Sequence, residues 1–252
     1  MTAGGWFLDA AIATGFFGLV AGTLVPAIIG RIPEPAPEAE TEQPPNDEVG
    51  GGTTGEASER KELYVDIARL PGLRWKCSLV TAVVAALIGS RVGFGPELSF
   101  LLYLAVVGVA LALVDWRTRL LPTKVLAPSY LVVVVFAAVS SLLVDDWTAL
   151  VTAAWGWLIA GGTFFVLWFI YPRGMGYGDV RLSGILGIAL GWLGWGQLLT
   201  GIYAGFLIGG VGGLLLSKLK IVDRKAYPFG PFMLVGALVG VLFGPNVAAW
   251  YV

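Results

Sequence analysis

The chain has 252 residues, of which 57% are hydrophobic and only 13% charged, with a mean hydropathy of +0.81. A soluble domain carries about 25% charged residues, so the composition excludes a soluble globular protein and indicates an all-α polytopic membrane protein whose surroundings are lipid rather than nucleic acid. The formal net charge is −1, there is no histidine, and Cys77 is the one cysteine. These counts exclude an intramolecular disulfide, a Cys/His zinc site and any catalysis that needs imidazole, which leaves carboxylates as the obvious candidates for acid–base chemistry.

A helical span needs roughly 20 apolar residues. Taken in chain order, the apolar runs predict about eight spans, at 6–29, 77–93, 98–115, 125–144, 148–171, 181–195, 197–217 and 230–250. The first lacks a basic segment ahead of it and reads as a retained span within residues 1–30, not as a cleaved signal. Residues 31–76 then form one long loop. Its 31–62 portion is rich in Pro, Glu, Gly and Thr, cannot bury enough apolar surface to order itself, and is expected to be disordered. Its remainder, "LYVDIARLPGLRWK", spaces apolar and basic residues in a way that suits a short surface helix over 63–75. Residues 77–252 make a seven-helix core with tight connections.

With alternate loops assigned to opposite sides, every one of the 16 Lys and Arg residues except Arg91 falls on the same side. The positive-inside rule makes that side cytoplasmic, and an even number of spans places both termini outside. Trp6, Trp147, Trp192, Trp195 and Trp250 fall near the outer face, as an aromatic belt does. Glycines recur every four residues at Gly201, Gly205, Gly209 and Gly213 in the seventh span and at Gly236, Gly240 and Gly244 in the eighth, with Gly18 and Gly22 in the first. Such stripes let helices approach closely in lipid, and packing within the bundle is their plain reading. A hinge for a lateral gate is the sharper one.

Ionisable groups at membrane depth are costly and mark functional sites by default. Asp115 closes the third span in "LALVDWRTRLLPTK" and Asp179 opens the sixth in "GMGYGDVRL". The loop assignment puts both at the cytoplasmic face, where they can meet if their helices pack together. Two aspartates in contact share one proton and titrate as a unit. One then draws a proton from water while the other polarises a peptide carbonyl. Gly176 and Gly178, lacking Cβ atoms, are open to backbone angles that other residues avoid and to close approach by a substrate strand. A helix N-terminus favours the ionised form of Asp179, and a helix C-terminus does not favour that of Asp115. The plainer alternatives are that Asp179 merely caps its helix and that Asp115 pairs with Arg117 or Arg119. The "PFG" of Pro228, Phe229 and Gly230 lies at the same depth, so Phe229 and Gly230 are placed at the border of the site. Pro231 follows at the start of the last span, where its missing N–H does no harm.

Three stretches, "VDWRTRLLP" (114–122), "GMGYGDVRL" (174–182) and "YPFGPF" (227–232), with a degenerate match in "GLVAGTLVPAIIGRIP" (18–33), resemble the prepilin peptidases, the type IV leader peptidases of the GxGD aspartyl protease class. The resemblance covers nearly the whole chain in order and spacing. It implies an intramembrane endopeptidase of the bacterial inner membrane. Such an enzyme removes a short basic leader from type IV prepilins and pseudopilins on the cytoplasmic side, after a glycine that precedes a hydrophobic helix. Carried over, Asp115 and Asp179 are the catalytic pair, with Gly176, Tyr177, Gly178 and Arg181 beside them. Proteolysis requires no cofactor. Many members also N-methylate the new N-terminus, which makes S-adenosylmethionine a cofactor where that activity is present. Many carry two CxxC pairs in the first cytoplasmic loop that are thought to bind zinc. This chain has none, so no metal is expected. Thr123 stands where an acidic or amide residue usually follows "LP", and Arg181 where a lysine often follows the motif. The other readings of the same residues are an ion- or proton-coupled transporter and a non-catalytic pilus assembly factor.

Overall fold

A computed structural model of the protein describes residues 6–34, 63–172, 175–218 and 228–251. Most of the loop expected to be disordered (35–62), together with Arg173, Gly174 and Tyr227, lies outside the described residues.

The described residues form helices and turns, without strands. In chain order the helices are α1 (Leu8–Gly30), α2 (Tyr64–Ala68), α3 (Leu73–Val92), α4 (Leu98–Thr118), α5 (Thr123–Val144), α6 (Trp147–Ile170), α7 (Tyr177–Leu193), α8 (Trp195–Lys218) and α9 (Gly230–Tyr251). Six of them, α1, α3, α4, α5, α6 and α9, are long and apolar enough to cross a membrane. At 17 residues α7 is shorter than a usual span. It is also buried along almost its whole length and packs against α5, α6, α8 and α9. A helix enclosed by protein is not required to match the lipid, so α7 serves as the central post of the bundle.

The helix expected over 63–75 is in two pieces. α2 is five residues long, the chain turns through Gly72 at φ +72, and Leu73 already belongs to α3. Arg74, Trp75 and Lys76 therefore extend a spanning helix that an apolar count starts at Cys77. α2 is packed on the bundle: its Tyr64 and Ile67 are buried against Val25, Ile29 and Val114. The Glu34 carboxylate accepts from the Val65 N–H at 3.2 Å, so residues on either side of the undescribed loop meet.

Three helix pairs are joined through glycines. Between α1 and α3, a Cβ on Gly18 would lie 2.6 Å from the Thr81 carbonyl oxygen. Between α6 and α7, one on Gly156 would lie 2.1 Å from the Gly187 oxygen. Along α8 and α9, one on Gly236 would lie 2.4 Å from the Gly205 nitrogen and one on Gly240 2.5 Å from the Gln197 oxygen. Backbones this close bring peptide dipoles and many weak contacts together, which is how helices associate in lipid. At the far end of the bundle, Asp145 ends α5 in the left-handed region at φ 52. Asp146 caps α6 by accepting from the Thr148 and Ala149 N–H groups at 3.0 and 3.2 Å. Asp145 and Asp146 are thus spent on one helix boundary.

Candidate active site

α4 carries Asp115 one turn from its C-terminus. At that point the helix turns Val114 and Asp115 inward, 0% and 4% exposed, while Trp116 is 44% exposed. The helix stops at Arg119, which takes left-handed angles (φ 56) and donates its N–H to the Asp115 carbonyl at 2.8 Å. The Asp115 side chain points into the bundle, where its Oδ2 accepts from the Gly230 N–H at 2.9 Å. That donor opens α9, 115 positions along the chain. A Cβ on residue 230 would sit 2.7 Å from this same oxygen, so only glycine leaves the carboxylate where it is.

Asp179 lies in the first turn of α7 and is 7% exposed. Its Oδ2 accepts from the Gly176 N–H at 3.1 Å, as the carboxylate of a capping box does. The capping reading therefore accounts for one oxygen. The other, Oδ1, is buried without a hydrogen-bond partner among the described residues. A buried carboxylate oxygen left open costs stability unless something else meets it.

Leu121 ties the two halves together. A Cβ on Gly178 would lie 2.6 Å from Leu121 Cβ, and one on Gly230 would lie 3.5 Å from Leu121 Cδ1. The turn after α4 therefore touches the starts of both α7 and α9, so that Gly178, the neighbour of Asp179, and Gly230, the donor to Asp115, meet at one residue. Both stand at the same end of the bundle, where α4 stops and α7 and α9 begin.

The glycines work differently from the expectation of unusual backbone angles. Gly176 has φ −72 and ψ 146, ordinary extended values, and a Cβ there would come no closer than 3.5 Å to any neighbour. Gly178 is helical and is needed for the contact with Leu121. The expected difference between the carboxylates also narrows. Asp179 is in the first turn of α7, but Asp115 touches the N-terminal N–H of α9, so each meets the positive end of a helix dipole.

The remaining predicted residues border this pair. Pro228 is buried and Phe229 half-buried. The Phe229 ring lies 5.8 Å from that of Phe164 and 6.0 Å from that of Phe206, under Gly209, whose Cβ would stand 2.5 Å from it. This aromatic wedge fixes the start of α9 and with it the Gly230 N–H. Tyr177 is exposed, and its ring packs at a tilt against that of Trp168, with centres 5.0 Å apart. The Arg181 guanidinium lies 4.6 Å from the Tyr177 ring centre and donates to the Thr123 hydroxyl. The two positions that depart from the usual family pattern, 123 and 181, therefore meet each other. Sequence reasoning missed Leu121 and Tyr130, whose hydroxyl donates to the Arg181 carbonyl at 2.8 Å. A half-buried apolar side chain and a backbone acceptor leave no local signal. No group of three or more metal-ligating side chains occurs among the described residues.

The model of the type IV leader peptidase family matches residues 100–216. The prepilin leader peptidase/N-methyltransferase of Escherichia coli is 30% identical over 168 residues, 65% of this chain and 72% of that protein. The chain belongs to the type IV leader peptidase family. The prepilin leader peptidase/N-methyltransferase of Aeromonas salmonicida is 30% identical over 193 residues, and that of Pseudomonas aeruginosa 29% over 178. These matches take in 73% and 69% of this chain but 61% and 59% of the relatives, so the chain spans only part of their length. No solved structure matches significantly. The family match includes both aspartates and runs from α4 to α8. α9, which brings the Gly230 N–H to Asp115, lies beyond it.

Proposed function

We propose that this chain is an intramembrane aspartyl endopeptidase that removes the basic leader from type IV prepilins or pseudopilins. The observation that carries the reading is the convergence of two buried carboxylates, Asp115 and Asp179, at one end of a helical bundle. In this reading α7 and α8 complete eight spans, both termini lie outside, and the dyad end faces the cytoplasm of a bacterial inner membrane. Support for that orientation comes from the gathering of Lys and Arg on one side.

Water takes the place between the carboxyl groups. The ionised carboxylate removes its proton as the oxygen attacks the scissile carbonyl carbon. The protonated partner donates to the carbonyl oxygen, giving a neutral gem-diol. A proton then passes from the dyad to the leaving nitrogen, and as the C–N bond breaks a gem-diol hydroxyl gives its proton to a carboxylate, which leaves a carboxylic acid product and returns the pair to one proton. Because each carboxylate accepts one backbone N–H near a helix N-terminus, the shared proton belongs to the pair and not to one member. The open Oδ1 of Asp179 is where that proton or the water would be held. Tyr177 and Arg181 border the entrance.

N-methylation is the second activity that the relatives are named for. S-adenosylmethionine needs charged and hydroxyl partners for its amino acid and ribose groups. Three clefts between the described helices are lined by apolar side chains with Ser183, Tyr130 and Trp157 as the polar exceptions. These three clefts do not fit that group, and leader removal is the activity we assign to the carboxylate pair.

The test is leader removal from a prepilin by the purified protein in proteoliposomes. Asp115→Asn and Asp179→Asn are each expected to lower the rate by at least about 100-fold while the protein accumulates normally in membranes. Cleavage persisting in both variants would remove the dyad.

A further inference from the structure

The geometry points to a docking groove for the apolar segment of the substrate on the face formed by α3, α4 and α9, with α7 as its floor. The inference rests on the peptidase reading and locates where the substrate lies.

A cleft of about 200 Å³ opens between these helices. Along α4 it is lined by Leu101, Leu104, Ala105, Gly108 and Ala112. These residues share one helical stripe, and the next position on it is Asp115. Along α9 the lining is Pro231, Leu234, Leu238 and Val241, and the residue before Pro231 is Gly230, the Asp115 donor. Val80, Val84 and Ile88 of α3 make the opposite wall. The groove therefore runs along α4 from Leu101 to Ala112, about 16 Å along the helix axis, and ends about one helical turn from Asp115.

Its direction and chemistry identify the occupant. The lining carries no charged or hydrogen-bonding side chain, so the groove offers nothing to a polar peptide or a headgroup. Val80 and Val235, 49% and 47% exposed, stand on its walls, so the groove is reached from the side, through lipid. A peptide entering there must satisfy its own backbone and is therefore helical. A helix about 10 Å across does not fit inside a cleft of about 200 Å³. It lies over the mouth with one row of apolar side chains inserted, and its end delivers the scissile bond to Asp115 and Asp179. A lipid chain fits the same apolar walls, but continuity with the dyad favours a segment attached to the bond being cut.

Two measurements test this. In the Asp179→Asn protein, a photoreactive amino acid at Val84 or Val235 is expected to crosslink to the apolar segment of a bound prepilin in proteoliposomes. The same probe at Leu131 or Leu143, on the outer face of α5, is expected to give at least about tenfold less. In the active protein, Val84→Trp fills the groove. The ratio of kcat/KM for the full prepilin to that for a short peptide lacking the apolar segment should then fall about tenfold, with Leu131→Trp leaving the ratio unchanged. Crosslinks equal on both faces, crosslinks to lipid alone, or an unchanged ratio in Val84→Trp would overturn the groove. Crosslinking is read without turnover, so loss of the peptidase reading and loss of the groove give different results.

Discussion

Two glycine-rich regions of this protein look alike in sequence and do different work. In the α8–α9 seam, Gly236, Gly240 and Gly244 each face the partner helix with backbone atoms nearer than 3 Å to where a Cβ would stand. In the stretch before α7, Gly176 faces nothing close, and Gly178 faces one side chain, Leu121. The seam uses glycine to join two helices over their length. The motif uses it at single points, at Gly178 and again at Gly230, to let the α4–α5 turn and the Asp115 carboxylate come up against other helices. The lesson is that a glycine pattern gains meaning from what stands opposite each residue, and the backbone angles here are ordinary.

That contrast can be broken by substitution. The largest effect is expected from Gly240→Leu, which drives a branched side chain into Gln197 and Gly201. Overpacking of this kind costs about 1–3 kcal/mol or more, so the thermal transition of the purified protein should fall and activity with it. Gly230→Ala comes next. It displaces Asp115 Oδ2 without disturbing a seam, and a misplacement near 1 Å costs about 100-fold in rate. Here leader cleavage should drop steeply while melting temperature stays near that of the parent. A parallel loss of both would mean that Gly230 is structural like the seam. The smallest effects separate the two motif glycines: Gly178→Ala should slow cleavage about tenfold by pushing Leu121 away, whereas Gly176→Ala should stay within about 0.5 kcal/mol of the parent in stability and near it in rate. Equal losses at 176 and 178 would contradict the reading of their neighbours.

Much of this arrangement is visible in the residue order, because lipid imposes long apolar runs and makes a buried aspartate conspicuous. Each of the eight runs corresponds to a helix, and six of those helices are long and apolar enough to cross a membrane. The two carboxylates stand out because few other acids lie near a span, and Asp145 and Asp146 are explained by a helix boundary. What stays hidden is set by contacts across the chain. Nothing at position 230 announces that its N–H will reach Asp115, since a backbone donor has no side-chain signature. Leu121 reads as one more apolar residue in a turn. The start of α3 is misplaced by four residues because Arg74 and Lys76 look like loop, although long basic side chains extend from a helix end into water without breaking it. The meeting of Thr123 with Arg181 is likewise a matter of where α5 and α7 pack.

The central claim is that Asp115 and Asp179 face each other, and the most direct measurement is their proximity. In a Cys77→Ser background, cysteines at 115 and 179 should be joined by a short thiol-specific crosslinker and recovered by mass spectrometry as one linked peptide pair. Cysteines at 115 and 143, at opposite ends of the bundle, should not. Linkage of the 115–143 pair, or none between 115 and 179 with any short linker, would contradict the account.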